Sequence, residues 1–345
     1  MPQFIPGFSL VGATATGKTA LALLLAEWLL AESPAHQNLD GIILLSADSR
    51  QIYQGLEIIS GADVPSNFSL TAHSTAQIDS SVQQAASQYF LQKISDKKRL
   101  EIWGVSVLSP KLSWSVAQFQ QLARVVLDRA QRENLAVILV GGTGLYQSLA
   151  FKADWQINVP PDEKLRQKAE QLTVKELQGM LSDLAPERLQ SLNQSDLHNP
   201  RRLVRQLELA QAETTHTVKA EPPKVPTLGL TRSQTDLPEA IHQRVLERLK
   251  LGAKNELMLL DLTTAQPMVT SALGVKELKL WTSDQISDEE LIELWTKHEL
   301  QYAKRQLTWW KKQPGVEWLD VQKPDCFEQA KAWITRINPT LPNQA

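Results

Sequence analysis

A single cysteine, Cys326, excludes an internal disulfide and any cysteine-rich zinc module, and it suits a reducing, cytosolic compartment. A surplus of one charge is also lacking. With 36 Lys and Arg against 38 Asp and Glu, the chain as a whole is no electrostatic trap for nucleic acid, and any RNA contact must come from local basic patches. Long apolar runs are missing too: the longest, Leu21 to Ala31, is interrupted by Glu27 and is too short to span a bilayer. No basic segment followed by a signal-type core opens the chain, so a cytoplasmic protein with no membrane contact is expected. The six histidines have no partners at metal-ligand spacing, and no internal repeat is visible. What is present is apolar material, 42% of 345 residues, enough for at least one large core and roughly two domains.

Phe8-Ser9-Leu10-Val11 leads into Gly12-Ala13-Thr14-Ala15-Thr16-Gly17-Lys18-Thr19, and an Ala/Leu-rich run follows to Leu30. The order is strand, glycine-rich loop, helix. Glycines let the backbone turn tightly, so that the N–H groups of Gly12, Thr14, Ala15, Thr16 and Gly17 and a helix N-terminus can face one anion. Lys18 adds a mobile positive charge, and Thr19 a hydroxyl for Mg2+. This chemistry binds a di- or triphosphate group without saying which molecule carries it.

Gly41 to Ser46 and Leu135 to Val140 read as strands buried in a parallel sheet. The first delivers Asp48-Ser49-Arg50-Gln51 to the crevice at the strand ends, where Asp48 could hold Mg2+, take a proton, or cap the next element. The second delivers Gly141-Gly142-Thr143-Gly144, which lets the backbone approach a ligand and presents one hydroxyl. From Gly55 to Arg99 no period dominates, which suggests surface structure or a flap. Val116 to Glu133 has helical spacing, with Arg124, Arg129 and Arg132 read as solvated surface. Between Pro160 and Pro200 only helical patterns occur. In Asn199 to Glu208, Arg201, Arg202 and Arg205 suit phosphodiester contacts or, equally, ion pairing with Glu208. Lys219 to Pro226 reads as a proline-rich link, Thr227 to Leu230 as a strand, and Pro238 to Glu256 as a helix. Gln301 to Lys312 interleaves Lys304, Arg305 and other cations with aromatics, which suits RNA contact or packing on the core.

Five segments together resemble the tRNA dimethylallyltransferase (tRNA isopentenyltransferase) family, bacterial type: 12 to 19, 46 to 53, 141 to 146, 199 to 208 and 301 to 309. The resemblance implies an α/β fold: a P-loop-type parallel sheet core flanked by helices (1–158 and 199–345), with a small all-helical, tRNA-contacting insertion (159–198). It implies transfer of a dimethylallyl group from dimethylallyl diphosphate to N6 of adenosine 37 in tRNA, with Mg2+, recognition of the anticodon stem-loop, and a monomer. Asp48 would be the general base. Thr143 and Arg244 would lie near the diphosphate and the reacting centre, and Gln51 would read the flipped adenine. Asp48, Ser49, Arg50, Gln51, Arg166, Arg201, Arg202, Arg205, Lys276, Lys304 and Arg305 would form the tRNA-contacting set. Several family positions differ. The usual Gly-Thr-Ala-Lys-Pro is replaced by Ile59 to Pro65 without its lysine, His-Leu-Ile-Asp by Trp103-Gly104-Val105-Ser106, a tyrosine by Val275, and an arginine by Leu300. Two other readings remain at this stage: an ATP-dependent P-loop kinase, and an RNA-binding family member with reduced or lost turnover.

Overall fold

The computed structural model describes residues 7–32, 38–62, 64–73, 80–150, 155–212 and 225–337. The chain divides into two compact units, Met1–Phe151 with Pro223–Ala345, and Lys152–Pro222.

The first unit is built on a sheet of β1 (Phe8–Gly12), β2 (Gly41–Ser46), β3 (Ser69–Ala72), β4 (Gln88–Lys93), β5 (Arg99–Trp103), β6 (Leu135–Gly141), β7 (Thr227–Thr231) and β8 (Val316–Asp320). Their order is β3-β4-β5-β2-β6-β1-β7-β8. The strands from β5 to β8 run parallel, while β3 and β4 pair antiparallel with their neighbours. The continuous apolar runs of β1, β2 and β6 follow from burial on both faces. Leu10, Leu44 and Val140 face the helices Lys18–Ala31 and Cys326–Ile337, and Ile43, Leu45 and Leu139 face the helix Val116–Arg132. The carboxyl ends of the central parallel strands therefore open on one edge, the usual ligand crevice of such sheets.

Three sequence expectations change here. The stretch from Gly55 to Arg99 contributes β3, β4 and the start of β5; the first two carry polar side chains and only partial burial, so no apolar run announced them. The helix expected over Pro238 to Glu256 is two, Asp236–Leu251 and Ala253–Leu259, broken at Gly252, whose φ of 106° fits glycine and ends the first helix. Arg129 is buried rather than solvated: Arg129 Nη2 donates to Glu101 Oε1 at 2.9 Å, and Glu101 also accepts from Arg99 Nε at 2.9 Å and Trp103 Nε1 at 2.8 Å.

The second unit is helical, with Glu163–Ala169, Val174–Leu184, Pro186–Ser191 and Pro200–Ala212 among its helices. Its core is Leu165, Leu177, Leu181, Leu203, Val204 and Leu207. Three of these six come from Pro200–Ala212, so that helix belongs to the small unit rather than to the returning core segment that the sequence suggested. The expected link Lys219 to Pro226 lies outside the described residues as far as position 224.

Candidate active site

At the carboxyl end of β1 the chain turns through Ala15 (φ 61°) and Gly17 (φ 73°) into the helix Lys18–Ala31. Gly12 admits no side chain, since a Cβ there would lie 2.6 Å from the carbonyl oxygen of Leu230. Thr16 Oγ1 donates to Ala13 O at 2.9 Å, and Lys18 Nζ folds back onto the same oxygen at 2.6 Å. Burial foremost, then the Arg244 guanidinium, lowers the Lys18 pKa to about 7. Gly12 and Thr16 shape the loop from behind, while Thr14, Ala15, Gly17, Lys18 and Thr19 line a cavity of about 680 Å3.

Asp48, Ser49, Arg50, Gln51, Arg244, Lys276 and Arg305 line the same cavity. Asp48 Oδ1 accepts from Arg50 N at 2.8 Å and Gln51 N at 3.3 Å, a turn that fixes the carboxylate; Oδ2 makes no hydrogen bond among the described residues. Arg50 donates to Met268 O, and its burial lowers its pKa against the opposing pull of Asp48. The Gln51 amide is already committed, Nε2 donating to Gly61 O at 2.8 Å and Oε1 accepting from Ser46 Oγ at 3.2 Å. Arg244 Nη1 donates to Thr14 Oγ1 at 2.7 Å, which places a guanidinium on the phosphate loop itself.

Other expected residues fall elsewhere. Thr143 stands at the N-cap position of the helix Gly144–Leu149, makes no side-chain cap there, and is not among the cavity-lining residues. Its hydroxyl is buried without a hydrogen bond of normal geometry, although it lies close enough to the Tyr302 phenol to ease that group's ionisation. Lys304 faces a separate shallow cavity with His242 and Glu293. In the small unit, Arg166 Nε and Arg205 Nη1 each bond the buried Glu208 at 2.8 Å, the ion-pairing alternative, and Arg202 pairs with Asp196. Arg201 is exposed and has no ion pair among the described residues.

The helix Asp288–Trp310 supplies what sequence reasoning missed. Gln306 is buried, and its Oε1 accepts from Thr14 N at 2.8 Å. Its Nε2 lies against Gly142, where an added Cβ would be 2.1 Å away. Glu299 pairs with Arg248 at 2.7 Å in the cavity wall, both side chains buried. Burial, then the Asp48 charge, pushes the Tyr302 phenol up to about 12. Trp310 Nε1 donates to Gly142 O at 3.3 Å and Trp309 packs on Gly144, so these tryptophans serve the core side of the helix. Glu299, Tyr302 and Gln306 sit at i, i+3 and i+7, on the face that also buries Trp295, Ala303 and Trp310. Polar residues recurring on a buried stripe were the available signal.

Residues 91–313 match the sequence profile of the family described as IPP transferase. The chain belongs to that family. It is 30% identical over 324 residues to a tRNA dimethylallyltransferase of Trichormus variabilis, covering 92% of this chain and 95% of that protein. It is 29% identical to one from Synechococcus sp. (strain JA-3-3Ab), covering 96% and 86%. The family fold is seen in the tRNA isopentenylpyrophosphate transferase of Bacillus halodurans, with TM-score 0.59, 24% identity and 95% and 96% of the two chains covered. It is seen again in a eukaryotic dimethylallyltransferase acting on tRNA, with TM-score 0.69, 20% identity and 96% and 78% covered. Against the family pattern, Leu300 has a structural account. Partly buried, it packs beside Ala13, Leu237 and Ile241 and extends that apolar seam.

Proposed function

We propose that the chain transfers the dimethylallyl group of dimethylallyl diphosphate to N6 of adenosine 37 in tRNA and releases diphosphate. The observation that carries this is one cavity bearing both the phosphate loop, with Lys18, Thr19 and Arg244, and the Asp48 carboxylate, whose Oδ2 has no hydrogen bond among the described residues. The relatives' shared name, tRNA dimethylallyltransferase, supports the same acceptor and donor.

The N6 lone pair forms a bond to the allylic C1 while the C1–O bond breaks, its electron pair leaving with the diphosphate. Asp48 Oδ2 receives the N6 proton. Loop amides, the Lys18 ammonium and Arg244 meet the charge that develops on the leaving group. Mg2+ fits this donor set through Thr19, whose hydroxyl is an oxygen donor on a residue lining the cavity beside the phosphate loop. Held by Thr19 and diphosphate oxygens, Mg2+ would supply Lewis-acid neutralisation of the leaving group.

A stacked base cannot reach such a cavity, so adenosine 37 enters flipped out of the anticodon stem-loop. Ser49, Arg50, Lys276 and Arg305 on the wall serve the RNA, whereas Gln51 acts by holding the loop at Gly61. Thr143 supports the wall from behind, next to Tyr302. Among the described residues, no helix is long and apolar enough to cross a membrane. Incubation with dimethylallyl diphosphate, Mg2+ and unmodified tRNA, followed by nucleoside analysis, should yield N6-prenyladenosine. Absence of that nucleoside under conditions where tRNA binds would reject the proposal.

A further inference from the structure

Arg232 stands directly after β7, whose Leu230 pairs in register with Gly12 of the phosphate-loop strand. It lines the same cavity as Thr14, Ala15, Lys18 and Arg244. Most other cations there are engaged: Lys18 on Ala13 O, Arg50 on Met268 O, Arg248 on Glu299 and Arg244 on Thr14. Arg232 differs. Its Nε is shut off from solvent without a hydrogen-bond partner, and its guanidinium has no ion pair among the described residues. The nearby Asp236 carboxylate is taken by Ser233 and Gln322 and acts on Arg232 only through space.

A buried N–H donor without a partner is costly, and such donors in native proteins are nearly always satisfied by protein, water or ligand. Here the donor belongs to a planar, permanently charged group on the wall of a phosphate-binding cavity, the geometry suited to bidentate contact with phosphate oxygens. We infer that Arg232 is a ligand of the diphosphate, an inference that rests on the prenyl-transfer reading above. It sits on the β7 side of the phosphate loop, so the leaving group is clasped between Arg232 and the Lys18–Thr19 turn.

Binding of inorganic diphosphate with Mg2+, measured by calorimetry on the full chain, separates the possibilities. Arg232→Ala should weaken diphosphate binding about tenfold or more, with Arg232→Lys intermediate. The thermal midpoint should not fall, because no protein hydrogen bond is lost, and tRNA affinity should be unchanged. Unaltered diphosphate affinity in Arg232→Ala overturns the inference while leaving the prenyl-transfer reading intact. A weaker affinity accompanied by a lower midpoint and weaker tRNA binding also overturns it, since that marks a structural role. If the unsubstituted chain binds no diphosphate, the reading of the cavity itself falls, and the inference with it.

Discussion

Lys18 is the residue whose environment most directly sets a condition for function. Burial lowers its pKa to about 7, so in the unliganded protein the ammonium is depleted as pH rises through neutrality. On the proposed function, diphosphate would restore the charge by pairing with it. Binding between pH 7 and 8 should therefore take up protons, and affinity should fall as pH rises through this range; calorimetry in buffers of different ionisation enthalpy checks both. The sign for stability is opposite. Between about 7 and the ordinary lysine value of 10.5 the unfolded chain holds the extra proton, so the unliganded fold gains stability with rising pH from this group. Glu101 governs a second buried charge cluster, with Arg99, Arg129 and Trp103, away from the cavity. Hydrogen bonds from Arg129, Arg99 and Trp103 outweigh burial and lower its pKa. Glu101→Ala removes the fully buried partner of Arg129 and leaves its guanidinium only the half-exposed Glu133 as an acidic partner, which should cost about 3 kcal/mol in denaturant unfolding. A loss under about 1 kcal/mol would show that the arginine finds water instead.

Among the elements, the helix Asp288–Trp310 joins the phosphate loop to the second glycine loop through Gln306. Gln306→Ala removes the acceptor of Thr14 N and should cost about 1 kcal/mol of stability. It should raise KM for the donor more than KM for tRNA, because on the proposed function the loop it steadies would hold the diphosphate; equal rises in both would contradict this. The strands β1, β2, β6 and β7 were legible because parallel burial writes continuous apolar runs, and the phosphate loop because its glycines obey backbone geometry. β3 and β4 were not, since partly exposed strands carry polar side chains without a clean alternation. The break at Gly252 was hidden inside a helical pattern, where one glycine is tolerated as often as it terminates. The place of Asp48 and Arg244 on the cavity wall was legible from their strand-end and family positions. Gln306, Glu299 and Arg232 were not, because a polar residue on a helix or at a strand end reads as surface until the packing is seen.

The whole molecule carries a formal net charge of -2, so its affinity for a polyanion depends on a few exposed cations rather than on its overall field. In the small unit Arg166 and Arg205 are tied to Glu208 and Arg202 to Asp196, which leaves Arg201, of these four, without an ion pair among the described residues. Arg201→Ala should weaken tRNA binding and reduce the slope of log K against log salt by about one, the signature of one lost phosphate contact. A titration at several salt concentrations with an unchanged slope would remove Arg201 from the interface. A phosphate-binding loop and a carboxylate share one cavity, and single-turnover prenylation of bound tRNA by Asp48→Asn tests their proposed partnership most directly. The amide keeps an oxygen for the turn at Arg50 and Gln51, so donor and tRNA binding should persist while N6-prenyladenosine formation drops by about 100-fold or more. Formation at the rate of the unsubstituted enzyme would contradict the assignment of Asp48 as the base.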